Sequence, residues 1–141
     1  PEIKRAFQFE ATRLERSVIA RYGQGDFFAR HRDNAALGTA HRNFSITIPL
    51  NANEHAGGYL RFPEFGPQLY QAPTGCAIIH SCSLLHELVP VQEGQRFAYI
   101  PIVYGEAGAQ LREKNRAFLA EGVSPDRREV LVPASEEEAS S

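Results

Sequence analysis

His31 and Asp33 stand two apart in RYGQGDFFARHRDN, residues 21 to 34, directly after the apolar pair Phe27 and Phe28. In a β-strand, residues i and i+2 point to the same side. His31 and Asp33 can then aim at one point while Arg32 points away. An imidazole and a carboxylate supply two metal ligands. Chance alone gives about 0.6 such pairs in a chain of this composition, so the pair by itself decides nothing. A third group changes that. His86 lies among apolar residues in SLLHELVPV, 53 residues after Asp33. His86-Glu87 does not open a zinc-protease H-E-x-x-H helix, because position 90 is Pro. Two histidines and one carboxylate occupy one face of an octahedron, the set suited to non-haem Fe(II) with three positions left open. A structural zinc site would be closed by four ligands.

Arg96 supplies a fourth piece, ten residues after His86 in GQRFAYIPIVY. A buried strand that carries one Arg among Phe97, Tyr99, Ile100 and Ile102 needs an anion for it. A guanidinium fork holds a carboxylate through two parallel hydrogen bonds. The alternative is a partner carboxylate within the protein, or exposure at the start of the strand.

These residues must be positioned by short strands. Gly and Pro punctuate the chain every eight to twelve residues. RSVIARYG reads as a strand ending at a Gly turn. RNFSITIPL alternates Phe44, Ile46, Ile48 and Leu50 against Asn43, Ser45 and Thr47, which predicts a half-buried strand with the apolar set inward. AGGYLRFP reads as a turn into a short strand, with Gly57 and Gly58 in the turn. QLYQAP, GCAIIHS, LHELVPV and QRFAYIPIVY complete the series, rich in the types a pleated surface prefers. The pattern changes at EAGAQLREKNRAFLAEG, which predicts a helix with Leu111, Phe118 and Leu119 on one face and a stop at Gly122. About eight short strands and one trailing helix predict a mainly β chain of the sandwich or jelly-roll kind. Residues 133 to 141, PASEEEASS, read as a disordered tail.

The totals bound the rest. The chain has 141 residues, enough for one domain with a real core. A net charge of −2 gives no electrostatic case for nucleic acid. The apolar runs are too short to span a bilayer. Cys76 and Cys82 are too far apart on one extended strand for a disulfide. Two reduced thiols fit a cytoplasmic protein. Pro1 is no natural initiator, so a processed or trimmed chain is expected. Oligomeric state leaves no signature.

Taken together, the motifs resemble the Fe(II)- and 2-oxoglutarate-dependent dioxygenases, in their prolyl 4-hydroxylase-like branch. RYGQGDFFARHRD is similar to that family's Tyr-Gly-aromatic stretch ending in H-x-D. Arg42 with SITIPLN resembles its R-x-x-T-x-x-x-Y-L-N strand. AGGYLRFPEF, APTGCAII and LHELVPVQEGQR resemble its G-G-x-x-x-F-P turn, its P-x-x-G strand and its distal H-x-x-x-P-V-x-x-G-x-R segment. The resemblance runs from Tyr22 to Tyr104.

The resemblance implies a double-stranded β-helix core with the C-terminal helix appended. It implies a catalytic domain over residues 1–122 and a C-terminal extension over 123–141. It implies His31, Asp33 and His86 as iron ligands. Arg96 would hold the distal carboxylate of 2-oxoglutarate, with Tyr22 as a second hydrogen-bond partner. The implied reaction is hydroxylation of an unactivated C–H bond with release of succinate and CO₂. Its cofactors would be Fe(II), 2-oxoglutarate and dioxygen, with ascorbate as a candidate accessory. Its substrate would be a peptidyl proline or a small molecule.

Departures matter. Pro49 stands where the family often has Tyr, and Thr47 is the residue that could supply the missing contact. Position 102 is Ile, not the second Arg of the superfamily's nucleic-acid demethylases. A non-catalytic, cupin-like metal- or ligand-binding module is the alternative. It would be expected to break the triad or the anchor, and both are intact. His80 reads as an ordinary strand histidine. His41 and His55 read as exposed loop residues. Arg16, Arg21, Arg30, Arg32, Arg42 and Arg61 read as a solvated basic face.

Overall fold

The computed structural model of the chain describes residues 1–16, 18–121 and 130–133. Two antiparallel sheets curl around a shared interior. The larger is built in lanes. Its centre is β11 (Arg96–Tyr99) running on into β12 (Ile102–Tyr104). Pro101 breaks this run because it has no N–H to continue the ladder. On one side lie β1 (Arg13–Arg16) against β12 and β2 (Val18–Tyr22) against β11. On the other lies β4 (Phe44–Pro49), which pairs with both. β8 (Ile78–Ser81) flanks β4, and β13 (Val130–Pro133) flanks β2.

The smaller sheet has the order β3 (Phe28–His31), β9 (His86–Leu88), β6 (Leu60–Arg61) and β7 (Leu69–Tyr70). A separate ribbon joins β5 (His55–Gly57) to β10 (Val91–Gly94). Ala20 and Tyr22 of the larger sheet meet Leu60, Phe62, Leu88 and Val91 in one buried cluster. The fold is the expected jelly roll, a double-stranded β-helix.

Three sequence expectations change. First, β4 presents the opposite face to the interior. Ser45 and Thr47 are buried, whereas Ile46 and Ile48 are half-buried and Leu50 is exposed. Phe44 belongs to the outer face, where Phe7 and Phe9 pack on it with ring centroids 4.8 and 5.2 Å away. Phe7 ends α1 (Glu2–Phe7), a helix with no sequence signal. Second, the long C-terminal helix stops early. α2 covers Glu106–Lys114, and a 3-10 turn over Arg116–Glu121 follows Asn115. Third, residues 130–133 add a strand to the larger sheet. The tail expected over 133–141 lies outside the described residues except for Pro133, which closes β13.

Gly57 and Gly58 are where the backbone needs glycine, with φ of 75° and 67°. A Cβ at Gly57 would lie 2.5 Å from the Pro90 carbonyl oxygen and 2.7 Å from the Gln92 nitrogen. Both obstacles are backbone and cannot swing aside. Gly57→Ala is therefore expected to cost at least roughly 1–3 kcal/mol, seen as a fall of several degrees in thermal melting. An unchanged melt would show that the β5–β10 ribbon adapts freely.

Candidate metal centre and anion pocket

The smaller sheet places the histidines. His31 and His86 are direct partners across β3 and β9. Phe28 pairs with Leu88 in the same ladder, so three residues on β3 span the distance of two on β9. This bulge re-aims His31, as bulges beside functional sites commonly do. Asp33 is not on the strand. It lies in the turn just after it, held by its own N–H on the Cys82 carbonyl oxygen at 2.9 Å. The convergence expected from a two-residue strand spacing is real, but a strand end and a turn produce it.

The three ligand atoms lie within 4.8 Å of one another. His31 Nε2 is 3.1 Å from Asp33 Oδ1, and His86 Nε2 is 3.6 Å from the same oxygen. Each ring has its other nitrogen engaged. His31 Nδ1–H donates to the Ala29 carbonyl at 2.7 Å, and His86 Nδ1–H donates to the Leu84 carbonyl at 2.9 Å. That fixes the tautomer and turns the Nε2 lone pairs toward the carboxylate. Two lone pairs facing an anion need a cation between them. Asp33 Oδ2 is buried with no hydrogen-bond partner, a further sign of an unfilled demand. The donor set therefore fits a divalent metal with open positions.

Electrostatics agree. Burial pushes the Asp33 carboxyl up, but the hydrogen bond with His31 and the charges of His86, His31 and His80 outweigh it. The net effect lowers it to about 2. Burial lowers His86 to about 4 against the pull of Asp33, so its ring is neutral and ready to ligate at pH 7.

His80 is not an ordinary strand residue. It is buried, and its ring centroid lies 4.4 Å from that of His86. Phe62 closes the same corner, 5.3 Å from His80 and 6.3 Å from His86. Tyr70, 39% exposed, stacks outward on Phe62 at 5.7 Å. An aromatic wall thus runs from the metal centre to the surface.

Arg96 opens β11, on the larger sheet. It is 4% exposed. Tyr22 pairs with it across the sheet and lies under its guanidinium, 5.2 Å from ring centroid to Cζ. No carboxylate among the described residues pairs with Arg96, and its Nη1 is buried without a partner. Burial accordingly lowers its pKa. Among the described residues no protein carboxylate fills the counter-ion role, which leaves Arg96 a candidate to hold an anion from outside. Thr47 is buried on the inward face of β4, the face that carries Ser45 opposite His80.

Several other arginines have partners within the protein. Arg30 and Arg61 both reach Glu87, at 3.4 and 3.3 Å, on the outer face of the smaller sheet. Arg32 bonds to Glu64 and to the Ser83 carbonyl. Arg42 is not part of a solvated face. Its Nε donates to Glu15 at 2.7 Å, and His41 donates to the other oxygen of Glu15 at 2.9 Å. His41 is 1% exposed, contrary to the loop reading. His55 is also not a loop residue. It opens β5, and its Nε2 is buried. Cys76 and Cys82 are free thiols. No helix among the described residues is long and apolar enough to cross a membrane.

This geometry has known relatives. Residues 17–103 match the sequence profile of the 2OG-Fe(II) oxygenase superfamily. The chain belongs to that superfamily. It is 32% identical over 94 residues to a PKHD-type hydroxylase of Synechococcus elongatus, a match covering 62% of this chain and 42% of that protein. The chain spans about half the length of the curated relatives it matches. Two solved structures share the fold. An oxidoreductase of the 2OG-Fe(II) oxygenase family from Burkholderia pseudomallei superposes with a TM-score of 0.62 at 22% identity, over 72% of this chain and 50% of that one. A Pseudomonas putida prolyl-4-hydroxylase gives 0.57 at 24% identity, over 73% and 57%.

Proposed function

We propose that this chain is an Fe(II)- and 2-oxoglutarate-dependent oxygenase that hydroxylates an unactivated C–H bond and releases succinate and CO₂. Its main support is the convergence of His31, Asp33 and His86 within 4.8 Å, with Asp33 Oδ2 left without a partner. Iron supplies, when bound, the activation of dioxygen that no side chain can provide. The protein's residues do the rest. His31 and His86 hold neutral donor nitrogens inward. Asp33 contributes one negative charge, so a divalent ion keeps a net positive charge for anionic cosubstrate. Arg96 holds the distal carboxylate, with Tyr22 and Thr47 as further hydrogen-bonding groups. The buried interior excludes water and strengthens each of these contacts.

The proposed substrate is a prolyl residue of a peptide, or a small molecule presenting a similar saturated group. Phe62 and Tyr70 offer it an apolar approach beside His86. Ascorbate would serve as an accessory reductant. The catalytic unit is taken as residues 1–122, with residues 123–141 as a C-terminal extension.

The test is turnover of 2-oxoglutarate by the iron-loaded chain, read as succinate, with and without proline-containing peptides. Succinate formed without peptide supports the enzyme class, and stimulation by one peptide identifies the substrate class. No 2-oxoglutarate consumption at saturating iron, with the barrel folded, would overturn the reading. His80→Ala provides a graded comparison. It removes a ring packed on His86 but no ligand atom of the triad. Metal affinity should fall by roughly tenfold, in the range expected for a supporting group. Complete loss in anaerobic metal titration would make His80 a ligand.

A further inference from the structure

We infer, building on the proposed 2-oxoglutarate site, that His55 is a further binding group for the carboxylate held by Arg96. We further infer that His55 takes up a proton when that carboxylate binds.

A carboxylate has about four acceptor positions, and one guanidinium fork fills two of them. On the larger sheet the groups proposed to join Arg96 are the neutral hydroxyls of Tyr22 and Thr47. Ala98, two residues along on the same face of β11, is fully buried and carries no donor. The β5–β10 ribbon approaches from the other side. His55 pairs with Gly94, two residues before Arg96. Gly58 lies so close that a Cβ there would be 2.9 Å from Arg96 Cδ. His55 and Arg96 are thus brought together, close enough for the charge of Arg96 to act on the ring.

The ring of His55 is fixed. Its Nδ1–H donates to the Gly57 carbonyl oxygen at 3.1 Å. The neutral ring then carries a lone pair on Nε2, and that atom is buried without a partner. Arg96 Nη1 is buried without a partner as well. One orphan is an acceptor and the other a donor, yet neither satisfies the other. A carboxylate between them would accept from Arg96 at once. It would accept from His55 only if Nε2 gained a proton, since Nδ1 already uses its own. Binding and protonation are therefore coupled.

The field acting on His55 has the right sign. Burial lowers its pKa, the hydrogen bond to Gly57 opposes this, and the charge of Arg96 lowers it further. An incoming carboxylate offsets the charge of Arg96 and adds an acceptor, so the ring gains basicity. The other charged groups on the ribbon are Glu54 and Glu93, both exposed, and Tyr22 lies beneath Arg96. Ordinary carboxylates and phenols do not titrate between pH 6 and 8. A proton taken up in that window is then assigned to a histidine, and His55→Gln distinguishes His55 from the others.

The experiment is calorimetric titration of 2-oxoglutarate into Mn(II)-saturated protein at pH 7, in two buffers of different ionisation enthalpy. Mn(II) suits the same ligand set and avoids turnover. The wild type should take up close to one proton per ligand, about 0.5 to 1. His55→Gln keeps a neutral donor without a titrating group. Its proton uptake should fall to near zero and its affinity by about tenfold. Absence of proton uptake by the wild type overturns the proposal, and so does undiminished uptake by His55→Gln. Arg96→Ala separates the two levels. If it binds 2-oxoglutarate as tightly as the wild type, the cosubstrate site itself is wrong. If it loses binding while His55→Gln behaves as the wild type, only the role of His55 is wrong.

Discussion

Asp33→Ala should abolish metal binding and 2-oxoglutarate turnover while the barrel stays folded. The substitution removes the only carboxylate of the cluster and its single negative charge. The loss should go well beyond the roughly 10–100-fold that removal of a supporting group costs. The fold should survive because Asp33 serves it through the backbone. Its N–H bond to Cys82 remains available in alanine. The side chain contributes a buried oxygen without a partner, which is a cost to the metal-free protein. Its other oxygen is engaged by His31 and His86, so metal-free Asp33→Ala should stay folded and melt at most a few degrees below the metal-free wild type. Added metal at about 100 times its dissociation constant should stabilise the wild type by about 2.7 kcal/mol and the variant not at all. A metal-induced rise in melting temperature that persists in Asp33→Ala would remove Asp33 from the ligand set.

The ligands were legible because their chemistry is rare. Two histidines and a carboxylate with matching flanking motifs suit little besides a metal with open positions. The means of bringing them together was not legible. Period two placed Asp33 on the strand with His31, whereas the molecule uses a bulge between Phe28 and His31 and then a turn. A bulge leaves no mark in residue type unless a glycine makes it.

Face assignment failed on β4 for a different reason. Alternation identifies two faces but assumes that the apolar one is the interior. Here the buried face carries Ser45 and Thr47, as suits the polar ligands proposed for the interior. Ile46 and Ile48 lie on the outer face, which Phe7 and Phe9 help to cover at Phe44. The same assumption sent His41 and His55 to the surface. Both sit in polar sequence, and polar sequence usually means solvent. Glu15 and Arg42 give His41 a buried partner network instead, and partners distant in sequence cannot be read from local composition.

Arg96→Ala should raise the half-saturating 2-oxoglutarate concentration steeply while leaving iron binding intact. His86 opens β9 on the smaller sheet, whereas Arg96 opens β11 on the larger one and contributes no atom to the metal cluster. A dianionic cosubstrate held at the metal would need a fixed cation for its far carboxylate, and the buried Arg96 is the proposed one. Removing one partner of such a pair costs roughly 2–5 kcal/mol, much of it from leaving the other charge unpaired. That corresponds to about thirty- to several-thousand-fold in affinity. Effects on stability should be smaller and of mixed sign. Losing an unpaired buried guanidinium is favourable, whereas losing its contact with the Tyr22 ring is not. Arg96→Lys should rescue in part, since it restores charge without the two-pronged geometry. Arg30→Ala and Arg32→Ala are the controls, because these side chains engage Glu87, Glu64 and Ser83 on the outside. All four variants are compared at one fixed iron concentration. A shift of less than about threefold in Arg96→Ala, or a larger one in Arg30→Ala, would mean that the carboxylate is held elsewhere. The unpartnered Nη1 of Arg96 would then need another anion to satisfy it.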